Sequence, residues 1–169
     1  MRKEDRQLGK WRVILFGCVG LLVILTDQLT KFWIRDWSDL TPGDSLFEVG
    51  FFRFIFVKNT GAAFGIFKEH TQTIIVVAFV GIIVILLLVF LLRSRWKFLD
   101  SMLVMSAIGL VMGGTIGNQI DRVWLGYVTD FIDVTVWPTF NIADASAVVG
   151  TIILVYCLVF RSDLLKSKE

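Results

Sequence analysis

The residues best suited to chemistry lie in one stretch, from Gly113 to Asp144, with long apolar segments on both sides. This stretch holds four aspartates, one arginine and two asparagines, namely Asp121, Asp130, Asp133, Asp144, Arg122, Asn118 and Asn141. Two aspartates held close together cannot both ionise cheaply, so one keeps a proton and acts as an acid while the other acts as a base. Such a pair can activate water against an amide bond without a cofactor.

The setting of this polar cluster favours a functional role, because ionisable groups at the edge of a bilayer are costly. Two other interpretations stay open on the residues alone. The side chains could line a solvated outer loop, or the same aspartates could relay protons in a small transporter or channel. A transporter would more often show broken helices or an internal repeat, and the sequence shows neither.

Other kinds of site lack their residues in this sequence. The single histidine, His70, excludes a zinc site that needs two or more, and Cys18 and Cys157 lack ligand spacing, so no metal is expected. The sequence contains no G-x-S-x-G nucleophile motif, P-loop or dinucleotide fingerprint, so no cofactor is expected either. The net charge of +2 argues against a nucleic-acid partner.

Apolar helices must position the candidate residues. The chain has 169 residues, 56% of them hydrophobic, and its mean hydropathy of +0.74 indicates a membrane protein. Apolar runs long enough to cross a bilayer predict transmembrane helices at about residues 11–34, 73–92, 100–122 and 141–160. We therefore predict an all-α membrane protein with four transmembrane helices, forming a single domain over residues 1–169.

A small strand-rich element is predicted outside the membrane, at about residues 45–67. Phe52, Phe54 and Phe56 share one face of an extended chain, which is typical of a strand. We expect this element to lie on the outer face as a platform or cover for a substrate. The residues numbered 124–139 are predicted to form a short loop at the membrane interface.

Two further features bring the polar residues of different helices together. Asp27 and Lys31 are spaced i, i+4, so they can pair on one helix face. Gly109, Gly113 and Gly117 repeat every fourth residue, the spacing that lets membrane helices approach closely. Most of the Lys and Arg residues lie in the N-terminal segment, the loop after the second helix and the C-terminal tail, so both termini are predicted to be cytoplasmic. The polar clusters then gather near the outer surface.

The start of the fourth helix bears on the carboxylate pair. Asn141 lies three residues before Asp144, which predicts that Asp144 occupies the first helical turn, where the helix dipole favours its ionised form. Asp130 and Asp133 flank two apolar residues and are expected to point in different directions. Only one of them can then face Asp144.

Five short motifs in this sequence, taken in order and together, resemble those of the bacterial lipoprotein signal peptidases of type II. They are Asp27-Gln28-x-x-Lys31, Asn59-Thr60-Gly61-Ala62-Ala63-Phe64, Gly113-Gly114-x-x-Gly117-Asn118-x-x-Asp121-Arg122, Val128-x-Asp130-Phe131 and Phe140-Asn141-x-Ala143-Asp144. Each motif alone is weak, but the set covers nearly the whole chain and is highly specific.

The resemblance implies a metal-independent aspartic endopeptidase of the bacterial cytoplasmic (inner) membrane, acting near the outer leaflet. Its partners would be lipid-modified prolipoprotein signal peptides and membrane lipids, and the enzyme would be a monomer. It would cut immediately before the diacylglyceryl-modified cysteine. By motif position the catalytic pair is Asp130 and Asp144. The substrate-binding or supporting residues would be Asp27, Lys31, Asn59, Gly61, Gly114, Asn118, Asp121, Arg122 and Asn141.

Two aspartates are left without a catalytic role. Asp133 is expected to face solvent. Asp121 stands next to Arg122 at a helix end, a setting that favours a structural ion pair.

Overall fold

Helices and a three-stranded antiparallel sheet make up the described part of the chain, which in this computed structural model comprises residues 3–36, 41–61, 71–92 and 97–161. In chain order the elements are α1 (Lys3–Asp36), β1 (Ser45–Val49), β2 (Phe52–Asn59), α2 (Thr71–Leu92), a 3₁₀ turn (Lys97–Asp100), α3 (Met102–Leu125), β3 (Val128–Asp133) and α4 (Ile142–Phe160).

Within those ranges, four helices are long and apolar enough to cross a membrane: Gly9–Asp36, Gln72–Val89, Met102–Leu125 and Ile142–Phe160. The predicted fold class, four transmembrane helices with a small strand-rich element, is confirmed. The first helix begins at Lys3 rather than Trp11. Its polar opening residues are good helix formers, and a search for apolar runs does not detect them.

The third helix, α3, is the central one, with α1 and α4 packed against it. Glycines allow these helices to approach closely, as the repeat of small residues predicts. A Cβ atom on Gly113 would lie 2.7 Å from the carbonyl oxygen of Gly20 in α1. On Gly114 it would overlap the carbonyl oxygen of Ala143 in α4. The backbones of α1, α3 and α4 are therefore in contact without side chains between them.

Two apolar clusters hold the described elements together. The larger cluster lies along α3 and consists of Phe98, Leu99, Val104, Met105, Ile108, Met112 and Cys157. The smaller cluster, Ile34, Phe56 and Phe131, packs the sheet onto the end of α1. By contrast, α2 carries many exposed apolar side chains, which suits a helix that faces lipid.

The sheet has the order β1-β2-β3, with β2 in the middle. The prediction of a loop over residues 124–139 is wrong at its centre, because Val128–Asp133 forms β3. This strand pairs with β2, so that Val57 lies opposite Asp130 and Arg53 lies opposite Asp133. Nearly all residues of β3 are buried, including its aspartates, so the alternation of apolar and polar residues that marks a half-buried strand is missing.

Two turns bring β3 and α4 to their places. Gly126 ends α3 with a φ of 77°, a left-handed conformation that suits glycine, and its N–H donates to the Arg122 carbonyl. After β3 the chain folds back, and backbone hydrogen bonds between Phe140 and Ile132 fix the residue before Asn141. The strand-rich element is described as far as Gly61, and its predicted continuation to residue 67 lies outside the described residues.

Candidate active site

A buried ion cluster lies where the C-terminal halves of α1 and α3 meet. The Lys31 Nζ atom is 2.9 Å from Asp27 Oδ2 and 3.3 Å from Asp121 Oδ2, and it donates to Asn118 Oδ1 at 2.8 Å. A lysine ammonium has three donors and no acceptor, so these three contacts satisfy it. Lys31 and Asp27 are fully buried. The predicted Asp27–Lys31 pair is therefore present, as part of a larger network.

Asp121 joins this ion cluster to the sheet. Its Oδ1 atom is 3.3 Å from Arg35 Nη1, and its Oδ2 atom accepts the backbone N–H of Thr129 at 2.9 Å. The expected ion pair with Arg122 is wrong, since Asp121 pairs with Lys31 and Arg35 instead. Consecutive helical residues point about 100° apart, so Asp121 faces α1 while Arg122 faces the cleft.

Asp27 links α1 to α4. Its Oδ1 atom accepts the backbone N–H of Ala143, in the first turn of α4, at 3.0 Å. Gly117 leaves the space for this carboxylate, because a Cβ atom there would lie 2.7 Å from Asp27 Oδ2. The start of α4 is thus fixed to α1 by a charged acceptor as well as by packing.

Asn141 caps α4 and places Asp144, as predicted. The Asp144 N–H donates to Asn141 Oδ1 at 2.9 Å, and the Asn141 N–H donates to Asp144 Oδ2 at 3.2 Å. This reciprocal pair is a capping box. Asp144 therefore lies in the first turn, at the positive end of the helix dipole.

Asp130 is the second carboxylate of the site and is only 2% exposed. Its Oδ2 atom accepts from Asn59 Nδ2 at 2.9 Å, and its Oδ1 atom accepts from Asn141 Nδ2 at 2.7 Å. Burial and, second, the charge of Asp144 raise the pKa of Asp130 to about 7. The two amides act in the opposite direction, since they stabilise the ionised form. At neutral pH this carboxyl group can hold or release a proton.

Asn118 connects the ion cluster to Asp144. Its Nδ2 atom donates to Asp144 Oδ1 at 2.8 Å. Its Oδ1 atom accepts from Lys31 Nζ and, at 3.0 Å, from Asn141 Nδ2. Both oxygens of Asp144 are thereby hydrogen-bonded, and one of them is a single amide away from the Lys31 ammonium.

Arg122 and Gly61 form the other edge of the site. The Arg122 Nη2 atom donates to the Gly61 carbonyl at 3.2 Å, and the Gly61 N–H donates to Asn59 Oδ1 at 2.9 Å. Asn59 is thus held by Gly61 on one side while it donates to Asp130 on the other. The end of β2 is in this way connected to the candidate carboxylate in β3.

A cleft of about 250 Å³ opens onto these groups. Its polar side consists of Asn59, Asn118, Arg122, Asp130 and Asp144. Its other side is mainly apolar and consists of Val128, Trp137, Pro138, Thr139, Phe140, Ala147 and Val148. Asp130 comes from the sheet and Asp144 from α4, so two separate elements bring the carboxylates to one cleft.

All the residues predicted for the site belong to this connected set, apart from Gly114, which acts through packing on α4. Three residues that touch Asp121 were not among the predicted site residues, namely Gln28, Arg35 and Thr129. Gln28 stands within the first motif, and its amide also donates to Asp27 at 3.1 Å. Arg35 follows Lys31 by one helical turn on the same face, and that spacing could have identified it. Thr129 carries no such signal, because its contact depends on the unrecognised strand.

Asp133 does not face solvent as expected. It is 6% exposed and forms an ion pair with Arg53, its neighbour across the sheet. Its Oδ1 atom also accepts the backbone N–H of Thr135 at 2.8 Å. The expectation that Asp130 and Asp133 point in different directions does hold, and only Asp130 lines the cleft. Over the described ranges, no three His, Cys, Asp or Glu side chains are grouped so that they could hold a metal ion.

Comparison with known proteins shows the family to which the chain is similar. A family model described as signal peptidase (SPase) II matches residues 19–160. The lipoprotein signal peptidase of Dehalococcoides mccartyi (strain 195) is 50% identical over 144 residues, which are 85% of this chain and 88% of that protein. The lipoprotein signal peptidase of Moorella thermoacetica is 41% identical, over 85% of this chain and 91% of that protein.

A solved structure is similar as well. It is described as a bacterial membrane enzyme determined by the in meso method at 2.3 Å resolution. It superposes with a TM-score of 0.76 at 32% identity, covering 90% of this chain and 92% of that one. The match of the family model and the identity with its members over most of the chain lead to one conclusion. The chain belongs to the signal peptidase II family and is a multi-pass bacterial membrane protease.

Proposed function

We propose that this protein is an aspartic endopeptidase that removes the signal peptide from diacylglyceryl-modified prolipoproteins, cutting immediately before the lipidated cysteine. The observation that carries the proposal is the position of Asn141, whose side-chain amide donates to Asp130 while its backbone N–H donates to Asp144. One residue thus holds both carboxylates at the same cleft. The names of the relatives support the choice of substrate.

The two aspartates have different roles because their surroundings differ. Both carboxylates accept hydrogen bonds on both oxygens, but only Asp144 stands at a helix N-terminus, whose dipole favours the ionised form, so Asp144 is the base. Asp130 is buried beside it with a pKa of about 7, so it is the group that holds the proton. Pairs of acids whose environments separate their proton affinities are the usual basis of acid–base roles.

The reaction then follows with all protons accounted for. Asp144 takes a proton from a water molecule in the cleft, and the resulting hydroxide attacks the scissile carbonyl carbon. Asp130 donates its proton to the carbonyl oxygen, which gives a neutral tetrahedral diol. As the C–N bond breaks, the proton on Asp144 passes to the leaving nitrogen, and Asp130 recovers a proton from the diol. The products are a carboxylic acid and an amine, and both aspartates return to their starting states.

The cleft suits a lipid-bearing peptide. Its apolar side contains Trp137, Pro138 and Val148, and Val148 is 58% exposed on the outer surface of α4. An apolar signal helix and the acyl chains on the cysteine can approach along such a surface from the bilayer. Polar groups are needed only at the peptide bond that is cut, which would lie against Asn59 and Arg122 on the polar side of the cleft.

The proposal includes a location. The protein would lie in the cytoplasmic (inner) membrane as a monomer, with both termini cytoplasmic and the cleft near the outer leaflet. The sheet and the ends of α1 and α3 would then face outward. The alternative, a transporter or channel, has no support in the comparisons.

Purified protein in detergent, incubated with a diacylglyceryl-modified prolipoprotein, tests this function. We expect a single cut before the modified cysteine, with the same rate in the presence of a strong chelator. The same prolipoprotein without the diacylglyceryl group should be cut at least about tenfold more slowly, because a large apolar contact is lost. Cleavage elsewhere, or a chelator-sensitive activity restored by zinc, would contradict the proposal.

A further inference from the structure

A buried glutamine next to the site has no role in the mechanism described above. Gln119 is only 3% exposed, in α3 between Asn118 and Ile120. Its Nε2 atom donates to the Ile75 carbonyl of α2 at 3.0 Å, and its Oε1 atom accepts from Arg122 Nη1 at 3.3 Å. A buried primary amide is costly unless both its ends are hydrogen-bonded, and here both are.

The orientation of the Gln119 amide is fixed by its partners. A carbonyl oxygen can only accept and a guanidinium can only donate, so the NH₂ group must face Ile75 and the oxygen must face Arg122. The amide therefore cannot rotate without losing both contacts. Arg122 has two further partners: its Nη2 atom donates to the Gly61 carbonyl at 3.2 Å, and its Nη1 atom also donates to the Asn118 carbonyl, at the longer distance of 3.5 Å.

We infer that Gln119 is a positioning residue for substrate binding, acting through Arg122. The guanidinium lines the cleft. The Gln119 oxygen is the nearer of two acceptors for its Nη1 atom, and the Gly61 carbonyl is the acceptor for its Nη2 atom. A cation held at two points presents a fixed charge to a peptide carbonyl in the cleft. The inference rests on the peptidase activity proposed above and adds a residue to it.

Two substitutions separate this role from a structural one. Gln119→Met keeps the size of the side chain and removes both hydrogen bonds. Gln119→Glu keeps an acceptor for Arg122 but has no N–H for Ile75. If Gln119 acts through Arg122, the glutamate variant should bind substrate nearly as well as the wild type. If the residue only joins α2 to α3, the glutamate variant should be at least as impaired as the methionine variant.

The experiment measures kcat and KM on the diacylglyceryl-modified prolipoprotein, with thermal unfolding in detergent recorded for each variant. We expect Gln119→Met to raise KM about tenfold, the effect of a lost hydrogen bond to a charged group, with kcat changed less than about threefold. Gln119→Glu should stay within about threefold of the wild type in KM. In an Arg122→Lys background, Gln119→Met should have no further effect on KM.

Matched controls complete the design. Gln72→Met makes the same change at an exposed position in α2 and should alter neither constant. Asp144→Asn tests the proposed function in the same assay. An inactive wild type would refute the function, whereas an active wild type with an unchanged KM in Gln119→Met would refute only the role of Gln119. Equal KM increases in the methionine and glutamate variants would also overturn the role of Gln119. If Gln119→Met does not fold, the KM of Gln119→Glu alone tests the inference, and an increase beyond about threefold would overturn it.

Discussion

Three amides from different elements hold the two carboxylates of the site. Asn59 comes from β2, Asn118 from α3 and Asn141 from the start of α4, and each donates to Asp130 or Asp144. An amide can orient a carboxylate without neutralising its charge. The positive charges on Lys31 and Arg122 lie at the edges of the site, and the hydrogen bonds to Asp130 and Asp144 described above come from amides rather than from these cations.

At this scale, the first prediction concerns the carboxylates themselves. Asp130→Asn and Asp144→Asn keep the shape of the side chain and remove the acid or the base, so each should lower kcat by about 10⁴-fold or more. The double variant should be scarcely worse, because the two residues act as a unit. Cleavage rates are measured with folding checked by thermal unfolding. Asp133→Asn is the matched control and should lower kcat only mildly. An inactive Asp133→Asn beside an active Asp130→Asn would show that Asp133, not Asp130, is the partner of Asp144.

The second prediction concerns pH. Because the pKa of Asp130 is about 7, activity should fall as pH rises through that value and the acid is lost. Asn59→Leu removes a hydrogen bond that favours the ionised form, so it should move this alkaline limb to higher pH, whatever it does to the maximal rate. A pH–rate profile from pH 5 to 9 measures both effects, and a limb that Asn59→Leu leaves in place would contradict the assignment.

The raised pKa of Asp130 also makes the stability of the protein depend on pH. The folded chain binds the Asp130 proton more tightly than the unfolded chain, whose ordinary value is 3.8. The corresponding stabilisation is complete below that value and is lost as pH rises through about 7. The free energy of unfolding should therefore decrease over this window in the wild type, and the decrease should be smaller in Asp130→Asn.

At the scale of elements, contacts between backbones decide where α4 stands. Gly114 allows the first turn of α4 to touch α3, and an added methyl group would overlap the Ala143 carbonyl. We predict that Gly114→Ala will destabilise the protein by about 1–3 kcal/mol through overpacking and will slow cleavage, because Asp144 follows Ala143. Thermal unfolding and cleavage rates measure this. Gly81→Ala in α2, where nothing lies within 4 Å, should change neither quantity by much.

The elements also show how far the sequence could predict the structure. The helices followed from apolar runs, and the cap on α4 followed from the spacing of Asn141 and Asp144. The strand β3 could not be predicted from the sequence, because its carboxylates are hydrogen-bonded or paired with residues distant in the chain, namely Asn59, Asn141 and Arg53. A buried polar residue looks like a loop residue until its partner is known.

The candidate site was more predictable than the contacts that support it. Motif resemblance selected Asp130 and Asp144, and both line the cleft. The partners of Asp121 and Asp133 depend on the packing of α1 and on strand pairing, neither of which the spacing of residues in one chain specifies. Arg35 carried a usable signal in its position one turn after Lys31, and Gln28 carried one in its place within the first motif.

For the whole molecule, the buried ion cluster joins α1 to α3, in addition to the close packing of their backbones. Lys31→Met would leave Asp27 and Asp121 without their shared cation, so we predict a loss of about 3–5 kcal/mol in the free energy of unfolding. Arg53→Met breaks an ion pair in which the arginine side chain is 41% exposed and the Asp133 side chain is 8% exposed. Asp133 keeps the Thr135 N–H, so the expected cost is smaller, about 1–3 kcal/mol. The free energy of unfolding is measured in detergent for both variants. Equal losses would show that the burial of the cation does not determine the cost of removing it.

The orientation of the whole molecule gives the last prediction. In a background of Cys18→Ser and Cys157→Ala, single cysteines at Ser45 and Lys10, both exposed positions, should react from opposite sides of the membrane. An impermeant maleimide added to intact cells should label only Ser45→Cys, because the positive N-terminal segment favours the cytoplasm. Labelling of both from outside would contradict the proposed topology.

The hydrogen bond from the Ala143 N–H to Asp27 bears on when a newly made chain becomes active. Its two ends are 116 residues apart, and α4 follows every other described element in synthesis. Until α4 inserts, Asp27 lacks this donor, Asn118 has no carboxylate to bind, and only one of the two aspartates is present at the cleft. Under the proposed mechanism, a partly made chain can therefore meet prolipoproteins in the membrane without cutting them, and activity begins with the docking of α4.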